Sequence, residues 1–376
     1  MKNRQNRQSR LTWLVAIVAA LSLLTAACGK DKKDESSKRS DGTKTTSAPD
    51  KGALSKLKGK LDGSGSSFQD TFEQKVSADF DSAVKSAGGD STITYTKTGS
   101  SDGKKALGDK SSDFAGSDSA LKPEEESMFA GRKILYFPIV GGPISTAYNL
   151  KDVDSLNLSA DTLAKIFQAT ITAWDDPAIK ADNPDAKLPP TKITVVHRSD
   201  GSGTTKNFTK FLMTASPEWK LDAGETVNWP SSTQGGEKST GVTAIIKQTN
   251  GAIGYVDLAD AAKEDLNVAA VKGSGSDFVK PTPDSASKAL EAAEVKADLT
   301  YDPLDSKAAG AYPITSPTWI LVDAKQADAG KAAILKAYLK YILDQGQSQA
   351  KALLYAPLPD SLKTKAMAQI DQIAAS

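Results

Sequence analysis

Short β-branched runs alternate with longer stretches of helical spacing through most of this chain, and that alternation limits it to layered α/β architectures. The runs are Thr92–Tyr95, Ile134–Phe137, Ile193–Val196, Ile253–Val256 and Thr318–Val322. Leu335, Tyr338, Leu339 and Ile342 share one helical stripe. Leu362, Ala366, Ile370 and Ile373 share another, behind Asp360 or Ser361 as cap. The order predicts helices packed on a mostly parallel sheet. At 376 residues and 39% hydrophobic content the chain has enough apolar material for two lobes. Gly273–Asp277 and Pro281–Pro283 read as a surface loop, and no internal repeat is present.

The formal net charge of +1 conceals a gradient. Four basic residues and no acidic ones precede Cys28; Gly29–Lys60 carries +5 and Leu61–Ser376 carries −8. An acidic body argues against nucleic acid as a partner. If it binds an anion, it does so with local dipoles and a placed cation. The single cysteine, Cys28, excludes a disulfide framework, and the single histidine, His197, argues against histidine-based zinc sites and catalytic triads. No cofactor or metal is expected. Residues 1–27 read as a signal peptide: a basic start, an apolar run from Leu11 to Leu24, then Thr25-Ala26-Ala27. Cys28 after those small residues resembles a bacterial lipobox, with Thr25 where Leu is usual. It is expected to carry lipid at the outer face of the cell membrane, palmitate included. A retained spanning helix is the other reading, although the apolar run is short for the ~20 residues that a bilayer core requires. Residues 28–60 are expected to be an anchor and flexible tether. The tether's positive excess suits anionic headgroups, and a plain solvated spacer fits equally.

Three windows place Gly and Ser where a strand gives way to a helix. In Val195–Thr205, Ser202, Gly203 and Thr204 offer hydroxyls and N–H groups at a helix start, Arg198 offers a donor fork, and Asp200 is placed to hold it. A solvated turn is the competing reading. Leu61–Phe68 and Thr98–Gly103 repeat the theme, and each alone fits a cap or a linker. Together the three windows indicate a multiply hydrogen-bonded oxyanion.

Ser112–Ala120 completes the set, and the ordered motifs resemble the phosphate-binding proteins of bacterial Pst-type phosphate ABC transporters. The likeness covers nearly all of Leu61–Ala374. It rests on Ser67-Phe68, Gly99-Ser100-Ser101, Asp113–Asp118, Trp174-Asp175-Asp176, Arg198–Thr204, Gly251–Val256, Tyr312–Ser316 and Tyr355–Pro359. It implies a two-lobed periplasmic-binding-protein-like (type II) fold, with a hinge between the lobes and ligand in the cleft. Lobe one would comprise 61–139 and 313–376, and lobe two 140–312. It implies high-affinity extracellular binding of inorganic phosphate by Ser67, Phe68, Ser100, Asp118, Arg198, Ser202, Gly203 and Thr204, with Asp200 orienting Arg198. The partners implied are the membrane subunits of an ABC importer; a monomer without enzymatic activity is expected. Ser67 stands where Thr is better known and His197 where Arg is common. Asp118 would accept a hydrogen bond from a protonated phosphate and repel fully deprotonated sulfate; otherwise it reads as the cap of a helix at Ser119–Glu125. The alternatives are a binder of sulfate or molybdate, a secreted phosphatase, and an adhesion or matrix protein on the same fold.

Overall fold

A computed structural model describes residues 50–375. The signal peptide, Cys28 and the tether up to residue 49 lie outside the described residues. The main sheet uses β1 (Lys58–Gly65), β2 (Asp90–Lys97), β3 (Phe114–Ser117), β4 (Ile134–Asn149), β5 (Thr194–Arg198), β6 (Gln234–Gly236), β7 (Ala252–Asp257) and β8 (Thr315–Asp323). Their spatial order is β2-β1-β3-β8-β4-β7-β5-β6, and Asn267–Val268 adds a short pairing on β4. Four helices matter most below: α1 (Asp70–Ala87), α2 (Ser100–Gly108), α3 (Gly203–Ala215) and α4 (Lys238–Gln248).

Two expectations need correction. The sheet is mixed, not mostly parallel. β1 pairs in parallel with β2 and β3, as does β5 with β6 and β7. The central strands β8 and β4 run antiparallel to their neighbours. Strand direction is set by long-range connections, which local spacing does not encode. The tether also ends before residue 60. Lys51–Leu54 is a helical turn capped by Asp50, and β1 begins at Lys58. Leu54 and Leu57 are buried, so the apolar content of this stretch already belongs to the core.

β4 joins the two halves of the sheet. Ile134–Pro143 pairs with β8, whereas Ile144–Asn149 pairs with β7. The switch therefore falls between Pro143 and Ile144. The β8–β4 ladder also slips between Thr318 and Trp319, where Pro138 lies opposite Trp319. Proline has no N–H for the ladder, and a bulge re-aims the neighbouring side chain. Around this sheet α1 buries Phe72, Val76, Phe80 and Val84 at four-residue spacing. The Ala329–Asp344 helix buries the predicted stripe of Leu335, Tyr338, Leu339 and Ile342.

Gly65 ends β1 at φ +144°, and a Cβ there would stand 2.1 Å from the Gly116 carbonyl oxygen on β3. Gly65→Ala combines an unfavourable backbone with a collision against an immobile strand. We expect a loss of roughly 2–4 kcal/mol in urea unfolding. An unchanged midpoint would contradict this packing.

Candidate functional site

The parallel strands end on one side of the molecule, where helices begin. β1 runs into Ser66-Ser67-Phe68 and α1, β2 into Gly99 and α2, β5 into Arg198–Ser202 and α3, and β6 into Glu237 and α4. Helix starts present free N–H groups and a positive dipole end. β3 contributes Asp118, the residue immediately after its last one.

Asp118 is 1% exposed. Its Oδ1 accepts from the Thr318 hydroxyl at 2.8 Å, and its Oδ2 from the Thr204 hydroxyl at 3.1 Å. Ser66 Oγ lies 2.7 Å from both oxygens and donates its one proton between them. A carboxylate has about four acceptor positions, and the Thr318 proton is shared with Gln69 Oε1 at 2.5 Å, so these three hydroxyls leave at least one position to spare. Burial pushes the carboxyl up to about 6, against the pull of Ser66, Thr318, Thr204 and the Arg198 charge. At neutral pH it is an anion, with hydroxyls in place of water.

Arg198 faces the same cluster with a side chain 2% exposed. Its Nε and Nη2 donate to the two carboxylate oxygens of Asp200, at 2.7 and 2.5 Å. Nη1 donates to Ser67 Oγ at 3.1 Å. The fork is held along one edge, and two of its five N–H bonds remain uncommitted. Arg198 and Lys238 hold the Asp200 carboxyl below its ordinary value, despite burial. Ser67 Oγ also accepts from the Ser239 N–H at 3.3 Å and lies 3.0 Å from Ser239 Oγ. Its lone pairs are thus occupied, and its own proton is directed to Ser239 Oγ. Gly203 packs so tightly that a Cβ would stand 2.6 Å from Ser100 Oγ and 2.9 Å from Asp118 Cβ. Residues from both halves of the sheet therefore meet at Asp118. The arrangement offers an oxyanion a clamped cation, hydroxyl and amide donors, and one buried acceptor.

The sequence matches the family described as PBP superfamily domain over residues 41–345. It is 34% identical over 309 residues to the phosphate-binding protein PstS of Xylella fastidiosa (strain Temecula1), spanning 81% of this chain and 82% of that one. It is 37% identical over 295 residues to PstS3 of Mycobacterium bovis (strain BCG), spanning 75% and 79%. The chain belongs to the PstS family of phosphate-binding proteins. The solved structure of PfluDING, a high-affinity periplasmic phosphate-binding protein bound with phosphate, has the same two-lobed α/β fold. Its TM-score is 0.67 at 22% identity, over 84% of this chain and 93% of that one.

In this PstS-family chain, Ser67, Ser100, Asp118, Arg198, Gly203 and Thr204 come together, with Asp200 behind Arg198. Two other anticipated residues are engaged locally. The Phe68 N–H donates to Ser66 Oγ at 3.0 Å, and the Ser202 hydroxyl caps α3 by accepting from Thr205 N at 3.1 Å. Asp118 caps no helix; the nearby helical turn is Pro123–Phe129, preceded by Lys122. His197 points away from the site and stacks on Trp229 at 4.8 Å, as alternation along a strand requires. Sequence reasoning missed Ser66, Thr318 and Ser239. Ser66 had a signal, being one of two adjacent serines in a Gly/Ser loop. Thr318 sits in an apolar run and reaches Asp118 from beside the bulge. Ser239 depends on α4 starting at Lys238, which adopts φ +58°.

The raised Asp118 carboxyl fixes a sign. The folded protein holds this proton between about pH 4 and 6, where the unfolded chain has released it. Its contribution to stability is therefore present at pH 4 and lost as pH rises through about 6. Asp118→Asn should make the ligand-free protein more stable than wild type at pH 7.5, by about 2–3 kcal/mol, with little advantage at pH 4. Chemical unfolding at both pH values measures this; a variant no more stable at pH 7.5 would refute it.

Proposed function

We propose that this chain binds inorganic phosphate with high affinity outside the cell and delivers it, by closure of two lobes, to the membrane subunits of a phosphate ABC importer. The observation that carries the reading is the buried Asp118 carboxylate, with one acceptor position to spare, in the same cluster as the Asp200-clamped Arg198. Phosphate near neutral pH keeps a proton and can donate it to Asp118. Sulfate has no proton to give and meets only negative charge and lone pairs. In a dry site that mismatch is worth several kcal/mol. Ser67, Phe68, Ser100, Ser202, Gly203 and Thr204 are the donors we assign around the ligand, with Arg198 as its counter-charge. Lobe one comprises 61–139 and 313–376, and lobe two 140–312. The change of partner along β4, between Pro143 and Ile144, supports that division.

We read the protein as a monomeric carrier, not an enzyme. A hydrolytic serine needs a base. Among the described residues the sole histidine has no bonded serine and instead engages the Arg198 carbonyl through Nδ1 at 2.9 Å. The N-terminal motif supports a lipid anchor on Cys28, which would keep the carrier beside its importer and raise the effective concentration.

Calorimetry with phosphate and then sulfate tests the site. Arg198→Ala should abolish measurable phosphate binding, with unchanged circular dichroism. Asp118→Asn should raise sulfate affinity more than it lowers phosphate affinity. In the wild type, rejection of sulfate should weaken below about pH 6, as Asp118 takes up its proton. Equal phosphate and sulfate binding by the wild type at pH 8 would overturn the reading. For the anchor, Cys28→Ser should move the protein from the membrane fraction to the medium; retention on the membrane would count against lipidation.

A further inference from the structure

Glu225 lies in the stretch assigned to lobe two, yet every group bonded to its carboxylate comes from lobe one. Its Oε1 meets Lys104 Nζ at 2.6 Å and also accepts from the Ser119 hydroxyl. Its Oε2 accepts from the Ser101 hydroxyl at 2.5 Å. The carboxylate side chain is 4% exposed and the lysine side chain 0%. Ser101 and Ser119 directly follow Ser100 and Asp118 in the chain, so the cluster lies against the ligand residues without being one of them. On its own side, the Glu225 carbonyl accepts from the Ser202 N–H at 3.0 Å, which ties it to the Arg198–Thr204 loop.

From this geometry we infer that Glu225 and Lys104 form a latch between the lobes, which sets the open–closed equilibrium and thereby the affinity and residence time of phosphate. A buried ion pair that must separate repeatedly leaves a costly orphan charge behind. Here the lobe-one side has a resident partner: Lys104 Nζ is also 2.8 Å from Glu125 Oε2. On opening, Lys104 keeps Glu125, the two serines turn to water, and Glu225 is rehydrated. On closing, Glu225 gains one cation and two hydroxyl donors. Despite its burial, Lys104 and the two hydroxyls hold its carboxyl below the ordinary value, so it enters as an anion. The latch acts without touching the ligand. When the binding-competent state is only fractionally populated, apparent affinity falls in proportion to that fraction.

The latch rests on the two-lobed phosphate-carrier reading, and the test separates the two. Glu225→Gln keeps the size of the side chain and removes its charge. In the full chain without phosphate, small-angle scattering should show a larger radius of gyration for Glu225→Gln than for wild type. The two should converge at saturating phosphate. Calorimetry and stopped-flow release should show a phosphate Kd at least tenfold weaker, carried mainly by faster release. Should Glu225→Gln fail to fold, Ser101→Ala/Ser119→Ala removes two lobe-one donors without stranding a charge and should shift both readouts in the same direction. Unchanged ligand-free dimensions with unchanged phosphate release would overturn the latch. If wild type binds no phosphate while Glu225→Gln still expands the ligand-free protein, the carrier reading falls and the latch stands.

Discussion

A carboxylate in a dry site survives as an anion only if other groups replace its water, and around Asp118 that requirement organises the molecule. The replacement donors come from three separate places: Ser66 after β1, Thr318 beside the bulge in β8, and Thr204 in the first turn of α3. Two belong to one half of the sheet and one to the other. Full satisfaction of Asp118 therefore requires the halves to meet. The residue to which we assign recognition of a protonated ligand is thus one whose environment is complete only when both halves contribute.

Net charge plays little part in this. The body from Leu61 onward is acidic, yet screening at physiological salt confines that field to about 8 Å. Inside the cluster the balance is local: one guanidinium, the carboxylate that clamps it, one further carboxylate, and several helix starts. Fixed dipoles and oriented hydroxyls add to the positive potential of the guanidinium, and they do so in a low-dielectric setting where they are strong. Selectivity gains from this economy. A site richer in free cations would hold any oxyanion, whereas one with a single clamped arginine and an uncovered acceptor favours a ligand that brings a proton.

What the sequence made legible was local. Arg198, Asp200 and Thr204 sit in a Gly/Ser loop that follows a strand-like run, so residue type and spacing located them; Ser67 and Ser100 lie in windows of the same kind and are singled out by the family resemblance. Asp118 became interpretable only through the ordered set of motifs, because in isolation it reads as a cap. The hidden parts depend on long-range geometry. Thr318 lies in an apolar run, and its approach to Asp118 follows from the antiparallel β8–β3 register, which sets Trp319 opposite Ser117. The antiparallel course of β4 and β8 follows from connections that leave and re-enter one half of the fold. Glu225 carries no motif; its neighbours Ser101, Lys104 and Ser119 lie more than a hundred positions earlier in the chain.

Proton counting sets the terms on which a ligand can compete for this cluster. Thr204 has one hydroxyl proton, and in the structure it goes to Asp118. A ligand that accepts from Thr204 must take that bond away, so its net gain there is small. The groups able to add new bonds are the two uncommitted N–H bonds of Arg198 and the spare lone pair of Asp118, since the Ser67 proton goes to Ser239 Oγ. The arginine N–H bonds welcome any oxyanion, and only the Asp118 lone pair demands a donor. Asp118 and Glu225 each bond groups in the other half of the fold, and those contacts need no ligand. Ligand can shift the balance only by contacts that differ between the open and closed forms. In the carrier we propose, Arg198 and Asp118 lie in different halves of the fold and are the pair that can hold a single ligand together only in the closed form.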